Sequence, residues 1–353
     1  MAYGGKTRLK WLNGNNIILD GVSFACPKVI VDLLNADIKQ IDYDNAIELF
    51  KRKSRMIIKY KNLFYRNNIK GKTACFPFNK EIYSILRFNN NFDITCVLDF
   101  KGRGVVGRRC SDFIDNLSYT NEINDMYILD SEDKDNFNEF DNILIGDISQ
   151  LLALYGEKIY TCLKRLYDAG KKIYSFLPYN ELYPDIKIYS PTTIDNNIFD
   201  KKYAKCSSIA AGLLNLIPVV AIVGTSKNQG KYTLQQRIKR CLASTNIKAA
   251  FLSTEHQGIF LNDDGCFPYG AGKYSLVNLS LERFYALYDY LLFSLSLKKC
   301  DIIIAGLQSG ILTEHHKYRK YVIHNLSMLS MMMPETSVVI VNSQDSYLSL
   351  IHI

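Results

Sequence analysis

The segment with the clearest chemical signature is glycine-rich and reads GTSKNQGKYT, from Gly224 to Thr233. It follows the apolar run Val219 to Val223, which predicts a buried strand, and a segment with helical character comes after it. In such a loop the backbone N–H groups and the helix N-terminus point at phosphate oxygens, Gly230 lets the backbone come close, and Lys231 reaches a terminal phosphate. The segment therefore predicts a phosphate- or nucleotide-binding loop in preference to a structural glycine-rich turn.

The register of this loop differs from the plain G-x-x-x-x-G-K-[ST] pattern. Five residues separate Gly224 from Gly230, as in the GTDTEVGKT loop of dethiobiotin synthetases, and Tyr232 stands where a Ser or Thr usually follows the lysine. We therefore expect Thr233 to supply the hydroxyl for Mg²⁺, with ATP or GTP as the ligand and an acyl-CoA as the alternative. The predicted nucleotide-binding residues are Gly224, Thr225, Ser226, Gly230, Lys231, Tyr232 and Thr233.

The acidic partner of this loop is less evident. A metal-linked carboxylate would end an apolar strand, but Asp301 precedes the run Ile302–Ile304. Glu255, directly after the predicted strand Ala249 to Ser253, is the better Mg²⁺ ligand, and an exposed loop glutamate is the equal alternative. We interpret His256 as a loop histidine and leave the catalytic residues unassigned. The residues predicted for a second part of the site are Glu255, Gln257, Gln308 and Ser309.

A second glycine pattern, Gly102-Arg-Gly-Val-Val-Gly107, follows the predicted strand Ile94 to Phe100. A dinucleotide fingerprint belongs in the first strand-to-helix turn of its domain, whereas this one follows the second strand. The position favours a tight turn. Arg103, Arg108 and Arg109 would make its rim attractive to an anion.

From Thr73 onward, short apolar runs that predict strands alternate with segments that predict helices. These elements would position the residues of the site. This order predicts an α/β protein with a Rossmann-like parallel-sheet domain at 73–203 and a P-loop NTPase-like α/β domain at 204–347. We expect residues 1–72, with 14 Lys and Arg against 6 Asp and Glu, to be a small basic α+β extension or accessory domain. The whole chain of 353 residues has a formal net charge of +8.

Composition excludes several classes of protein. The nine cysteines include no C-x-x-C pair, which argues against zinc and disulfide frameworks and favours a reducing cytoplasm. The apolar stretch Ser207 to Gly224 contains Pro218 and runs into the glycine-rich loop, so we expect no membrane span. The abundance of Asn, Ile, Lys and Tyr indicates a low-GC bacterial genome.

The last six residues, LSLIHI at 348–353, match the translation of a transposon end used in preparing sequencing libraries. We interpret them as an adapter artefact and expect the P-loop domain to be an incomplete, C-terminally truncated fragment.

Several segments carry a family resemblance. GTSKNQGKYT, STEHQG at Ser253 to Gly258 and AGLQSG at Ala305 to Gly310 resemble the family of Rossmann-plus-P-loop proteins that includes D-glutamate N-acetyltransferases. FPFNKEIYSILRF from Phe76, DFKGRGVVGR from Asp99 and FPYGAGKYSLVNLS from Phe267 look like the peptide maturation system proteins of clostridial gene clusters. The resemblance implies a bacteriocin-like precursor peptide and a radical-SAM maturase as partners.

Three functions remain open. The first is a nucleotide-dependent component of ribosomal-peptide maturation, either a ligase- or kinase-like enzyme or a nucleotide-gated accessory. The second is a CoA-dependent N-acyltransferase, and the third is a non-catalytic scaffold that binds peptide through the basic residues 1–72. A homo-oligomer fits all three, and nucleic acid is not the partner we expect.

Overall fold

A computed structural model describes residues 7–10, 16–19, 69–113, 125–190, 217–227, 229–267, 276–296, 298, 300–311 and 319–341. Near the N-terminus, strands β1 (Thr7–Lys10) and β2 (Asn16–Leu19) pair antiparallel. The sequence of the N-terminal extension predicts helices at 27–34 and 43–53 and, from the alternation of Met56, Ile58 and Tyr60, a strand; all three lie outside the described residues. The expected domain boundary at 203/204 and the residues 342–353 also lie outside them.

The first large sheet has six parallel strands in the order β5-β4-β3-β6-β7-β8. The chain leaves β3 in one direction along the sheet and later returns to its other side with β6, so the strand order reverses between these two. In the described ranges, two helices pack beside the sheet, α1 (Lys80–Phe88) after β3 and α2 (Leu152–Asp168) after β6. The strands are β3 (Lys72–Phe76), β4 (Asp93–Asp99), β5 (Ile128–Asp130), β6 (Asn142–Ile145), β7 (Lys172–Ser175) and β8 (Ile188–Tyr189).

Local chemistry explains where these elements begin and end. Pro77 has no backbone N–H, so it cannot extend the ladder of β3 beyond Phe76. Asn79 then caps α1 by accepting the N–H of Ile82 at 2.9 Å through its side-chain oxygen. Helix α2 ends before Gly170, whose φ of 77° reverses the chain toward β7.

The second large sheet has five parallel strands in the order β11-β10-β12-β9-β13. Helix α3 (Lys231–Leu242) follows β9, α4 (Leu281–Ser296) precedes β12, and α5 (Arg319–Met332) precedes β13. The buried aromatic rings of Phe267, Phe284 and Tyr288 join α4 to the sheet. The strands are β9 (Val219–Gly224), β10 (Ala249–Ser253), β11 (Gly265–Cys266), β12 (Ile302–Gly306) and β13 (Thr336–Ile340).

Each large sheet has its own buried cluster, and the segment after β10 joins the cluster of the first sheet. Ile259, Phe260 and Leu261, which follow β10, are buried in the cluster formed by the first sheet and its helices. The Phe260 ring lies 5.4 Å from the ring of Phe176. Asn91, just after α1, donates to the carbonyl of Phe260 at 2.9 Å. The segment after β10 therefore fixes one sheet against the other.

The predicted fold class is confirmed as two parallel-sheet α/β domains in sequence. The sequence after the loop predicts a helix of about fifteen residues from Tyr232. Helix α3 begins one residue earlier, at Lys231, and has 12 residues. Helix α5 and the short strands β8 and β11 were not predicted. Among the described residues, no helix is long and apolar enough to cross a membrane.

Candidate functional site

The loop between β9 and α3 closes around the lysine at its end. Gly230 precedes the helix with a φ of 85°, a backbone conformation that glycine adopts without strain. Lys231, the first residue of α3, is buried, and its Nζ donates to the carbonyl of Ser226 at 2.7 Å. The lysine side chain thus folds back over the loop.

A second side chain, that of Gln229, also fills the loop. Its Oε1 accepts the backbone N–H of Ser226 at 2.9 Å, and its Nε2 donates to Thr225 Oγ1 at 2.8 Å. A Cβ atom at Gly224 would lie 2.8 Å from Gln229 Oε1 and 3.1 Å from Lys231 Nζ. Both side chains therefore lie directly over Gly224, and a larger residue there would have to displace them.

Burial makes Lys231 an unusual lysine. It lowers the pKa of the amine from its ordinary value of 10.5 to about 8, although the Glu255 carboxylate partly opposes the shift. A bound anion would offset this loss of hydration by stabilising the charged form. The lysine is therefore suited to hold a negative group that enters the loop.

Tyr232, which was predicted as part of the nucleotide site, turns away from the loop. Its hydroxyl donates to Asp263 Oδ2 at 3.2 Å, and its ring packs against the buried cluster of the first sheet, to which Ile259, Phe260 and Leu261 also belong. Burial raises the pKa of this hydroxyl well above its ordinary value. Thr233, the next residue of α3, is half-buried, and its role as a Mg²⁺ ligand stays a prediction.

Glu255 lies close to the loop and to the first domain. Burial raises the pKa of its carboxyl group, while the charges of Lys80 and Lys231 and a hydrogen bond from Gln308 act in the opposite direction. Gln308 Oε1 also accepts from Thr254 Oγ1 at 3.3 Å. The structure thus brings Glu255 and Gln308, which were predicted for a second part of the site, close to Lys231 of the glycine-rich loop.

The segment after β12 packs directly against the glycine-rich loop. A Cβ atom at Gly310 would lie 2.2 Å from the carbonyl oxygen of Thr225, so the two backbones touch. Ser309 has a positive φ of 60°. Asn325 on α5 holds this bend by donating to the carbonyls of Gln308 at 2.6 Å and Gly310 at 3.1 Å. Asn325 was not singled out from the sequence.

His256 and Gln257 lie in a short 3-10 helix, His256–Ile259, that packs against α1. Both side chains are buried. Burial lowers the pKa of His256 to about 4, so its ring is neutral at neutral pH. These residues belong to the junction between the domains.

The carboxyl ends of β3 and β6 contribute polar groups that the sequence analysis missed. Asn79 Nδ2 donates to the carbonyl of Asp147 at 3.1 Å, and the Asp147 carboxylate accepts from Ser149 N at 2.8 Å and from the Tyr179 hydroxyl at 3.2 Å. Lys80 begins α1 here. Ligands of open α/β sheets bind where the strand order reverses, so these strand ends were the available signal.

The Gly102–Gly107 pattern forms a turn, since Lys101–Arg103 is a short 3-10 helix and Gly104 has a φ of 70°. Its arginines are already paired with carboxylates. Arg103 NH1 donates to the buried Asp99 at 2.5 Å, and Arg109 NH1 donates to Asp125 at 3.0 Å. Arg108 lies 3.8 Å from Asp112.

Metal ligands are sparse around the loop. In the described part of the chain, no three His, Cys, Asp or Glu side chains come together as a metal site. Asp301 lies at the amino end of β12, where its carboxylate accepts from Lys248 N at 2.8 Å, far along the strand from the loop. A Mg²⁺ ion at Thr233 and Glu255 would therefore take most of its ligands from phosphate and water.

The fold and this site define a two-domain α/β protein with a glycine-rich loop at the carboxyl end of its second parallel sheet. The chain is similar to the crystal structure of a DUF1611 family protein from Anabaena variabilis, with a TM-score of 0.51 and 16% sequence identity. The alignment covers 76% of this chain and 74% of that chain. At this identity the similarity extends to the fold alone. No family model and no curated protein matches the sequence.

Proposed function

We propose that this protein binds a phosphate-bearing ligand on the loop from Gly224 to Thr233 and uses it on a second substrate held between the two domains. The observation that carries the proposal is the buried Lys231, which begins α3 and folds over Gly224. A lysine in this position is adjacent to the positive end of the helix dipole. The ligand we propose is ATP or GTP with Mg²⁺.

The loop backbone supports binding of an anion. Gly230 precedes α3 without a side chain that could cap the helix, so its first N–H groups lack a side-chain acceptor at that position. The N–H of Ser226 points inward, as its bond to Gln229 indicates. Such inward N–H groups at a helix start are the usual ligands of phosphate oxygens.

The second substrate is proposed from the groups that the first domain directs toward Glu255. Burial lowers the pKa of Lys80, but the carboxylates of Glu255 and Glu81 outweigh this effect and raise it above its ordinary value. Asp147 acts on the same lysine from the end of β6. The carboxyl ends of both sheets thus contribute charge to one region, as expected for a reaction between two bound molecules.

The proposed reaction is activation of a carboxylate or hydroxyl by a ligase- or kinase-like step. One observation favours a second candidate, transfer of an acyl group from a CoA thioester. Strand β12, which flanks β9, is followed by Leu307 and the neutral Gln308, where a hydrolytic site would have a carboxylate. A CoA donor needs phosphate contacts but no hydrolysis, and the resemblance to D-glutamate N-acetyltransferases agrees with it.

The pathway is proposed from sequence resemblance. The segments beginning at Phe76, Asp99 and Phe267 resemble clostridial peptide maturation system proteins. We therefore propose a cytoplasmic role in maturing a bacteriocin-like peptide alongside a radical-SAM maturase. Genes for a precursor peptide and such a maturase beside this gene would support the role, and a neighbourhood without either would count against it.

Calorimetry with the full chain tests ligand binding. ATP and GTP with Mg²⁺, and CoA, are titrated separately into the wild type, Lys231→Ala and Lys248→Ala. Lys248 is an exposed lysine at the opposite end of the same sheet, so its variant removes the same charge away from the loop. We expect Lys231→Ala to weaken binding at least tenfold, since a charge-assisted phosphate contact contributes roughly 1.5–3 kcal/mol.

The Lys248→Ala variant should bind like the wild type. Equal affinity of wild type and Lys231→Ala, or a wild type that binds none of the three ligands, would exclude the proposal. Thermal melts of all three proteins establish that any loss of binding does not come from unfolding.

A further inference from the structure

We infer that Gln229 is an internal ligand of the phosphate loop, which an incoming phosphate has to displace, and that it thereby limits the affinity of the site. The inference rests on the proposed function of this loop. It assigns to Gln229 a role that the sequence pattern does not reveal, because the corresponding position of the motif accepts any residue.

The Gln229 side chain forms hydrogen bonds with the same loop groups that would bind a phosphate. The carboxamide oxygen accepts the Ser226 N–H at 2.9 Å, and the carboxamide nitrogen donates to Thr225 Oγ1 at 2.8 Å. A phosphate oxygen would use the same inward N–H as its donor. The amide oxygen of Gln229 therefore occupies a position that suits a phosphate oxygen.

The same side chain lies over the base of the loop. The Cβ position of Gly224 is 2.8 Å from Gln229 Oε1 and 3.1 Å from Lys231 Nζ, so both side chains share this space. Lys231 in turn donates to the Ser226 carbonyl. A phosphate group cannot contact Gly224, Ser226 N and Lys231 Nζ together while the Gln229 amide remains in place.

Displacement of the Gln229 amide adds an unfavourable free energy to binding, and this free energy is the same for every phosphate-bearing ligand. Binding breaks the two neutral hydrogen bonds of the amide, and water replaces them only in part. Removing the amide raises the free energy of the empty loop and leaves the occupied loop unchanged. If Gln229 instead only stabilised the loop conformation, its removal would disorder the loop and weaken ligand binding.

Two substitutions separate these possibilities. Gln229→Ala removes the side chain, and Gln229→Met keeps its length and much of its volume but makes neither hydrogen bond. The control is Gln150→Ala, at an exposed glutamine of the first domain. Dissociation constants are measured by calorimetry on the full chain, with ATP and Mg²⁺ and with inorganic tripolyphosphate as the probes. Melting temperatures establish that each variant is folded.

We expect both Gln229 variants to bind the two probes about three- to tenfold more tightly than the wild type, and Gln150→Ala to bind like the wild type. Equal or weaker binding by a folded Gln229→Met protein, while the wild type binds, overturns the inference and leaves the proposed function intact. If neither the wild type nor the variants bind either probe, the proposed function fails and the inference fails with it.

Discussion

At the scale of single residues, the site depends on what burial does to Lys231. An exposed lysine stays charged far above neutral pH, but burial lowers the pKa of this amine to about 8. A phosphate in contact with the amine favours the protonated form and raises the pKa again. Binding above this pH must therefore include the uptake of a proton.

This linkage predicts that affinity falls with rising pH. Below about pH 8 the amine of the empty site is already protonated, and above it each ligand must bind together with a proton. The dissociation constant should increase about tenfold between about pH 7 and about pH 9, measured by calorimetry with ATP and Mg²⁺. Lys231→Arg, whose side chain stays charged, should remove most of this dependence. An unchanged pH profile in the arginine variant would show that another group, such as the Glu255 carboxyl, causes it.

At the scale of elements, helix α3 is anchored through Asp263. The carboxylate of Asp263 is fully buried and accepts from Tyr232 at 3.2 Å, from Gln236 at 2.9 Å and from Lys239 at 2.8 Å. All three donors lie on α3. The loop Asn262–Asp264 is thus tied to the helix that begins with Lys231. The side chain of Tyr232, the next residue of that helix, is part of this anchor.

Removal of the Asp263 carboxylate should lower the stability of the folded protein. Asp263→Ala removes the buried charge that pairs with Lys239, whose amine keeps only the carbonyls of Leu261 and Asn262 as acceptors. It also removes the acceptor of the Tyr232 hydroxyl, so we expect the free energy of unfolding to fall by roughly 3 kcal/mol in urea titrations. Tyr232→Phe, which removes one neutral donor, should lose only about 1 kcal/mol. Glu132→Ala, which breaks an exposed ion pair with Lys158, is the matched control and should be close to the wild type. A similar small loss in Asp263→Ala would mean that Asp263 does not anchor α3.

The sequence predicted the elements well and the site only in part. Apolar runs such as Ala249–Ser253 and the sequence around Gly230 identified the parallel strands and the loop, because both patterns are local. The direction of Tyr232 could not be predicted, since it depends on Asp263, thirty-one positions further along the chain. Gln229 was missed for a different reason, because its partners are backbone and hydroxyl groups that no residue pattern encodes.

At the scale of the whole molecule, α3 connects the loop to the first domain. Arg240 near its end donates to the carbonyl of Arg87 at 2.5 Å, and its guanidinium lies 4.9 Å from the centre of the Phe88 ring. Asn91, three residues after Phe88, donates to the carbonyl of Phe260. One end of α3 therefore meets the proposed ligand, while its other end and the segment after β10 hold α1 of the first domain.

This arrangement predicts that a ligand on the loop stabilises both domains. Hydrogen exchange followed by mass spectrometry, with and without ATP and Mg²⁺, should show slower exchange in residues 224–233 and also in 80–88 and 256–263. The reason is that ordering the first turn of α3 stabilises the whole helix, including its contacts with Asp263 and the bond from Arg240 to Arg87 at its far end. Helix α2 lacks such contacts with α3 in the described structure and should change little. In Arg240→Ala, we expect protection of 224–233 to persist and that of 80–88 to weaken, because the link from α3 to α1 is then lost. Protection confined to 224–233 in the wild type would mean that the loop and the first domain respond independently, and the proposal of a shared two-substrate site would lose its structural basis.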